Sequence, residues 1–244
     1  MTQRILLLTG ASRGIGHATG KLFADNGWRV LTLSRQAFSP RCPWLGGPEN
    51  HIQLDLGNTE HFGPGLDEIR RRLPDGRLDA LVNNAGISPK APDGGRLGVT
   101  GSSYATWLQV FNVNLFSTAL LSQGLIEYLA AAKGSIVNVT SIAGSRVHPY
   151  AGVAYASSKA ALLTLTREMA AEFAPLGVRT NAISPGEIAT AMLSPGTAAF
   201  ADREVPMRRL GTPAEVASAI HFLCSEAASY VNGAELHING GQHV

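Results

Sequence analysis

The chain has 244 residues, 45 % of them hydrophobic and 16 % charged, with a formal net charge of +2. That length supports one large core, and the near-neutral balance excludes polybasic binding to nucleic acid or a membrane surface; Arg70-Arg71-Arg72, the longest basic cluster, reads as a solvated helix face. Two cysteines, Cys42 and Cys224, are too few for a disulfide framework and suit a reducing cytoplasm, and neither cysteine nor histidine spacing points to a metal site.

The N-terminus runs straight into a strand pattern without signal-peptide flanks, and no apolar run reaches bilayer-spanning length, so a cytoplasmic protein outside the membrane is expected. Ile5-Leu6-Leu7-Leu8 is stopped by Thr9-Gly10-Ala11-Ser12-Arg13-Gly14-Ile15-Gly16. After it, Ile15, Ala18, Thr19, Leu22 and Phe23 recur at helical spacing. Strand, glycine-rich turn and helix in that order offer backbone N–H groups to a pyrophosphate at the positive end of a helix. The spacing G-x-x-x-G-x-G is neither the G-x-G-x-x-G fingerprint nor a P-loop, since no Lys-Ser/Thr follows. Residues 28–34 read as the second strand. Dinucleotide folds carry an acidic residue near its end for the ribose 2′-hydroxyl. Here that place holds Ser34-Arg35, with no Asp or Glu between Asp25 and Glu49. Arg13 and Arg35 facing a 2′-phosphate predict NADP(H) over NAD(H).

Residues 37–50 hold three prolines and two glycines and read as a loop, followed by a strand over 51–56. A short helix is predicted over 66–73 with Pro64 near its start, then a strand over 78–82 ending in Asn83-Asn84-Ala85-Gly86. Residues 88–103 are a surface loop. Trp107, Val110, Phe111, Asn114, Leu115, Thr118 and Leu121 mark a helix with an amide on its apolar stripe, which must be satisfied or used. A strand over 135–140 leads to Ser141, and another over 178–184 leads to Pro185-Gly186-Glu187-Ile188-Ala189-Thr190. Residues 191–208 lack a firm pattern and are a candidate mobile lid. Thr212-Pro213-Ala214-Glu215 opens a helix with capping-box spacing, running to about residue 226, and a seventh strand closes the chain near 234–239. Strands alternating with helices predict one α/β domain over 1–244: a doubly wound parallel sheet with its ligand at the strands' C-terminal ends.

Tyr155 and Lys159 are four apart, and residues 155, 159, 162, 166, 169 and 173 fall on one helical face that otherwise reads as buried. A phenol of pKa about 10 is a poor acid–base group at neutral pH, and lowering it by about three units takes roughly 4 kcal/mol. One positive charge about 4 Å away, at an effective dielectric of about 20, supplies on the order of 4 kcal/mol. The pair is therefore a candidate general acid/base in which Lys159 holds the phenol down. The plainer alternative is a neighbour pair with Lys159 reaching water and Tyr155 filling core.

Taken in order, Thr9-Gly10-x-x-x-Gly14-x-Gly16, Asp55-Leu56, Asn83-Asn84-Ala85-Gly86, Asn114, Ser141, Tyr155-x-x-x-Lys159 and Pro185-Gly186 resemble the short-chain dehydrogenase/reductase family across essentially the whole chain. The resemblance implies a seven-stranded Rossmann fold with helices on both faces. It implies Tyr155 as proton donor or acceptor at a carbonyl or alcohol oxygen, and Ser141 as the group polarising that oxygen. Lys159 would lower the tyrosine pKa and hold the nicotinamide ribose, and Asn114 would hold a water linking Lys159 to solvent. Gly10, Ser12, Arg13, Gly14, Ile15 and Gly16 would line the pyrophosphate and adenosine end, with Asp55 and Leu56 at the adenine. Asn84, Ala85 and Gly86 would support the ribose region. Pro185, Gly186, Ile188 and Thr190 would hold the carboxamide end. Many members carry a full helix where this chain has its Pro-rich loop before the third strand. The last segments, 205–211 and 236–241, look most like 3-oxoacyl-carrier-protein reductases. Members also assemble as homo-oligomers, tetramers or dimers. The expectation is an NADP(H)-dependent oxidoreductase acting on a small carbonyl or secondary alcohol, with no nucleic-acid partner. The alternatives are a 3-oxoacyl-carrier-protein reductase specifically, a lyase or epimerase, or a non-catalytic NADP-binding sensor or scaffold.

Overall fold

The structure is a computed structural model that describes residues 3–38, 47–73, 75–194 and 196–244. Cys42, most of the expected 37–50 loop and Pro195 of the expected lid lie outside the described residues. Seven strands form one all-parallel sheet in the order β3-β2-β1-β4-β5-β6-β7. They are β1 (Ile5–Thr9), β2 (Arg29–Ser34), β3 (His51–Gln53), β4 (Ala80–Asn83), β5 (Ser135–Val139), β6 (Arg179–Pro185) and β7 (Glu235–Ile238). The helices are α1 (Gly14–Asp25), α2 (Phe62–Arg71), α3 (Tyr104–Phe111), α4 (Ser117–Ala132), α5 (Val153–Phe173), α6 (Thr197–Glu204) and α7 (Pro213–Leu223).

The strands are apolar because both faces of the sheet are covered. Along β1 the side chains alternate between two cores. Ile5 and Leu7 join Ile69 of α2, Leu121, Leu125 and Leu129 of α4, and Met169 and Phe173 of α5. Leu6 and Leu8 join Phe23 of α1 and Val216, Ile220 and Leu223 of α7. Each central strand thus carries two hydrophobic surfaces, and a doubly wound sheet is the arrangement that buries both. The strand order reverses between β1 and β4, so the turns leaving these two strands diverge and open a crevice at their C-terminal ends.

The seven expected strands and their order along the chain are found. β3 spans three residues, less than the expected 51–56, and α2 begins at Phe62 with Pro64 in its first turn, ahead of the expected 66–73. The expected lid contains α6. α3 and α4 are joined through a π-helical turn over Asn112–Phe116, giving one helical run, Tyr104–Ala132, of 29 residues. By length and composition that run could cross a bilayer, contrary to the reading that no apolar stretch is long enough. Its fully buried Leu121, Leu125 and Leu129 make it a core helix instead.

At the start of α7, Thr212 Oγ1 accepts from the Glu215 amide, and the Glu215 carboxylate accepts from the Thr212 amide at 2.7 Å. Arg209 and these Thr212 groups hold the Glu215 carboxyl at about 2, so the box stays ionised through ordinary acid conditions. Replacing the cap, Thr212→Ala, is expected to cost about 1 kcal/mol. A thermal melt should show this as a Tm lower by roughly 2–4 °C.

Candidate functional site

Two turns meet at the crevice between β1 and β4. Thr9 Oγ1, at the end of β1, accepts from the amides of Asn84 and Ala85 at 3.0 and 2.9 Å. The Asn84 side chain donates back to the carbonyls of Thr9 and Gly10, both at 3.0 Å. Gly16 lies so near this clamp that a Cβ there would stand 2.2 Å from the Gly10 carbonyl oxygen and 2.5 Å from Asn84 Nδ2. Gly10 and Gly14 have φ of +71° and +58°, which L side chains rarely adopt. The glycines therefore serve close approach and backbone hand, which is what a turn presenting its amides to a pyrophosphate requires.

The segment after β6 lies across the same turn. The Thr190 side chain would be 3.2 Å from a Cβ at Gly14, and Arg13, Gly14, Ala189 and Thr190 line a cleft of about 660 Å³. Ile188 is buried, and its neighbours are pinned by Ala189 N to Gly211 O at 2.9 Å and Gly211 N to Glu187 O at 2.8 Å. Ser12 is exposed and Ile15 half-buried at the helix start. A second cleft, of about 640 Å³, is lined by Arg35, Asp55, Glu68 and Arg72 among others, with Leu56 buried in the core behind. Arg13 and Arg35, expected together at one 2′-phosphate, line different clefts.

The second half of the site is built on α5. Residues 159, 162, 166, 169 and 173 are buried as the periodicity predicts, and Tyr155 is half-buried. Lys159 is only 3 % exposed, and its Nζ donates to the Val139 carbonyl at the end of β5 at 2.7 Å. Gly144 allows the β5–α5 connection to close on the helix: a Cβ there would be 2.9 Å from the Ala160 amide. That approach brings the Ser141 hydroxyl beside the Tyr155 phenol. Ser141 Oγ also accepts from the Ala143 amide at 3.2 Å.

The electrostatics differ from the expectation. Burial pushes the Tyr155 phenol above its usual value, the Ser141 hydrogen bond opposes this, and the charge of Glu187 adds to the rise. The anticipated lowering by Lys159 does not prevail. Its Nζ sits 5.8 Å from the Tyr155 ring centroid and is committed to a carbonyl, and burial lowers its own pKa to about 8.

Asn114 sits in the π-helical turn and is 1 % exposed. Its amide is engaged by protein: Oδ1 accepts from Ile87 N at 2.9 Å, and Nδ2 donates to Ile87 O at 3.1 Å and Ser158 Oγ at 3.0 Å. Ser158 donates in turn to the Tyr155 carbonyl at 2.7 Å. Gly86 stands between the pair, since a Cβ there would be 3.4 Å from Lys159 Nζ and 3.6 Å from Asn114 Oδ1. Gly186 packs against the C-terminal strand, with Asn239 Cβ 2.7 Å from where its own Cβ would stand, and this sets the direction in which the chain leaves Pro185.

Thr9, quoted only as the first residue of the glycine motif, and Ser158 were given no role from sequence, because their signal is a partner more than forty residues away in each case. Glu187 and His148 were also missed: both are buried, and His148 Nε2 pairs with Glu187 Oε1. Cys224, the cysteine among the described residues, is buried with its thiol raised to about 11, so it holds no reactive thiolate. No group of three or more potential metal-ligating side chains occurs among the described residues.

The family model described as enoyl-(acyl carrier protein) reductase matches residues 10–243. The protein FixR of Bradyrhizobium diazoefficiens is 58 % identical over 242 residues, covering 99 % of this chain and 87 % of its own. The 3-oxoacyl-[acyl-carrier-protein] reductase FabG of Vibrio cholerae is 34 % identical, covering 99 % of this chain and 98 % of its own. Among solved structures, a short-chain dehydrogenase/reductase family oxidoreductase from Brucella ovis, in complex with a partially ordered NAD, superimposes with a TM-score of 0.85. It is 54 % identical and the match covers 98 % of this chain and 100 % of that one.

Burying Lys159 has a consequence for stability. The unfolded chain keeps this proton up to its ordinary value of 10.5, whereas the folded chain releases it at about 8. Between those values the unfolded state binds more protons, so this group makes stability rise with pH across the window, and below it the full cost applies. That cost is about 3 kcal/mol. Lys159→Met removes it and orphans the Val139 carbonyl, for a net gain of about 1–2 kcal/mol at pH 7. The Tm should rise by roughly 3–6 °C in a melt at pH 7, and the gain should shrink at pH 10.

Proposed function

Since the chain belongs to the short-chain dehydrogenase/reductase family, we propose that it is an NADP(H)-dependent oxidoreductase interconverting a carbonyl and a secondary alcohol. The observation that carries this reading is the placing of the Tyr155 phenol beside the Ser141 hydroxyl, one helical turn from a buried lysine that is tied to the end of β5. Such a grouping gives a proton donor and a second hydroxyl aimed at the same reacting oxygen.

The residues present fit a dinucleotide. The glycine turn is tight where a Cβ would block it, and its amides head α1. Gly10, Ser12, Arg13, Gly14, Ile15 and Gly16 would hold the pyrophosphate, Asp55 and Leu56 the adenine, and Asn84, Ala85 and Gly86 the ribose region. Pro185, Gly186, Ile188 and Thr190 would hold the far end. Bound there, the nicotinamide supplies or accepts the hydride. The chain's own work is protonic. Ser141 orients the carbonyl oxygen and Tyr155 delivers or removes its proton. Lys159, whose ammonium releases its proton at about 8, is placed to hold the ribose and hand protons toward Tyr155. Asn114 fixes the backbone at Ile87 and Ser158 beneath that path; its Oδ1 retains a lone pair for the water of a relay.

The preference for NADP(H) rests on Arg35. It is exposed in the second cleft at the end of β2, where no carboxylate stands on the strand itself. Glu68, in the same cleft, is paired with Arg71 and Arg72. The NAD bound by the Brucella ovis protein makes this the part of the reading most in need of a direct test. We also infer a single cytoplasmic domain over the whole chain, with residues 191–208 as lid. A homo-oligomer fits the exposed Leu108 and Phe116 on the α3–α4 run.

Tyr155→Phe is expected to lower turnover by about 10²–10⁴-fold while leaving dinucleotide binding, followed by fluorescence titration, within a few-fold. Full turnover in that variant would sink the reading. Arg35→Ser should lower the NADPH/NADH ratio of kcat/KM by about tenfold, from the loss of a charge-assisted contact. A wild-type ratio at or below one would assign NAD and leave the oxidoreductase reading standing.

A further inference from the structure

A second pair of ionisable side chains lies where β5 and β6 end side by side. Glu187, in the turn leaving β6, is 6 % exposed, and His148, in the connection between β5 and α5, is 9 % exposed. The Tyr150 amide donates to His148 Nδ1 at 3.3 Å, which leaves the ring proton on Nε2, directed at Glu187 Oε1. The other carboxylate oxygen, Oε2, has no hydrogen-bond partner among the described residues.

That oxygen is not among the buried atoms left without a partner, so it reaches solvent from a side chain that is otherwise buried, and the fold does not require a carboxylate there. The apolar demand of this segment is met by the next residue, the buried Ile188, and the backbone at Glu187 is already pinned by Gly211. Phe200 of α6, in the segment read as the lid, packs edge-on against His148 and Tyr150, with ring centroids 5.7 Å away in both cases. Lys90, in the connection leaving β4, donates to the Tyr150 carbonyl at 2.7 Å. Burial lowers the Lys90 pKa and the charge of Glu187 opposes this, while the same charge adds to the burial that raises Tyr155. Connections leaving β4, β5 and β6 and the expected lid thus converge around the segment His148–Tyr150 and the carboxylate paired with it.

We propose that Glu187 reads the substrate: its carboxylate accepts a hydrogen bond from a hydroxyl or ammonium group carried beside the reacting carbon. The substrate is then a small polar ketone or secondary alcohol and not an apolar acyl chain. This inference rests on the oxidoreductase reading above. His148 is a positioning residue that orients the carboxylate, and the rings of His148, Tyr150 and Phe200 pack against one another beside it.

The test compares hydroxyacetone, aminoacetone and butanone, which differ only in the group beside the carbonyl carbon, with whichever dinucleotide supports turnover. Wild-type kcat/KM should favour at least one donor-bearing ketone over butanone by about tenfold or more, the worth of one charge-assisted hydrogen bond. Preference for aminoacetone would identify the donor as an ammonium, and preference for hydroxyacetone as a hydroxyl. Glu187→Gln should cut an ammonium preference about tenfold, and Glu187→Met should cut either preference as much, chiefly through KM. Should the methionine variant not fold, Glu187→Ala takes its place, and the isosteric glutamine variant still reports an ammonium preference. Butanone used as well as the other two, turnover confined to long apolar ketones, an ammonium preference unchanged in Glu187→Gln, or either preference unchanged in the apolar Glu187 variant would overturn the proposal. Those outcomes leave the oxidoreductase reading intact. Dinucleotide consumption that is the same in wild type and Tyr155→Phe would instead strike that reading.

Discussion

The site depends on one buried cation. Lys159 Nζ reaches past the sheet edge to the Val139 carbonyl, tying α5 to the end of β5. With that tie and the close approach allowed by Gly144, Ser141 comes into contact with Tyr155. The burial that makes the tie costly also sets its chemistry. It draws the ammonium down to about 8 and pushes the phenol up, so Lys159 becomes the readier of the two to release a proton. A proton path ending at Tyr155 is better served by a lysine that can give one up than by one held firmly charged.

The rest of the site floor is rigid because its polar groups satisfy one another. Thr9, Asn84 and Ala85 lock the turns after β1 and β4. Asn83 donates to Asn138, and Asn138 to Thr166 of α5, both at 2.9 Å, carrying a polar line through the core from β4 to the helix that bears Tyr155. The π-helical turn swings Asn114 inward to brace Ile87 and Ser158. Networks of this kind favour one arrangement, since each broken member would leave an unpaired buried group; Asn83 Oδ1 is the atom of this line that is buried without a partner. At Glu187 one oxygen is matched by His148, and the other has no hydrogen-bond partner among the described residues.

Much of this was legible because it is local. Ile5 through Leu8 could only be a strand covered on both faces, and the glycines that follow could only be a tight turn. The 4-3-4-3-4 spacing from Tyr155 to Phe173 located a buried helical face before any partner was known. Thr212 and Glu215 announced a helix start because both halves of the box lie within four residues. The helix α6 was hidden by its short length and mixed polarity, and the π-helical turn by the fact that one extra residue per turn barely disturbs an apolar stripe.

The sequence by itself determined the order of strands and helices, the glycine turn and the residues that reach the sheet's C-terminal edge, because each is dictated by neighbours within a few positions. Only the tertiary structure decided how those residues act on one another. The direction of the Tyr155 shift turns on what is packed around the phenol, which no i,i+4 spacing records. Arg13 and Arg35 look alike in sequence yet line separate clefts, because α1 and β2 carry them to different sides of the turn. Glu187 and His148 are 39 positions apart and come together only where β5 and β6 end side by side. Desolvation and pairing across strands are properties of the folded surroundings, and they are what separate a list of suitable residues from a site.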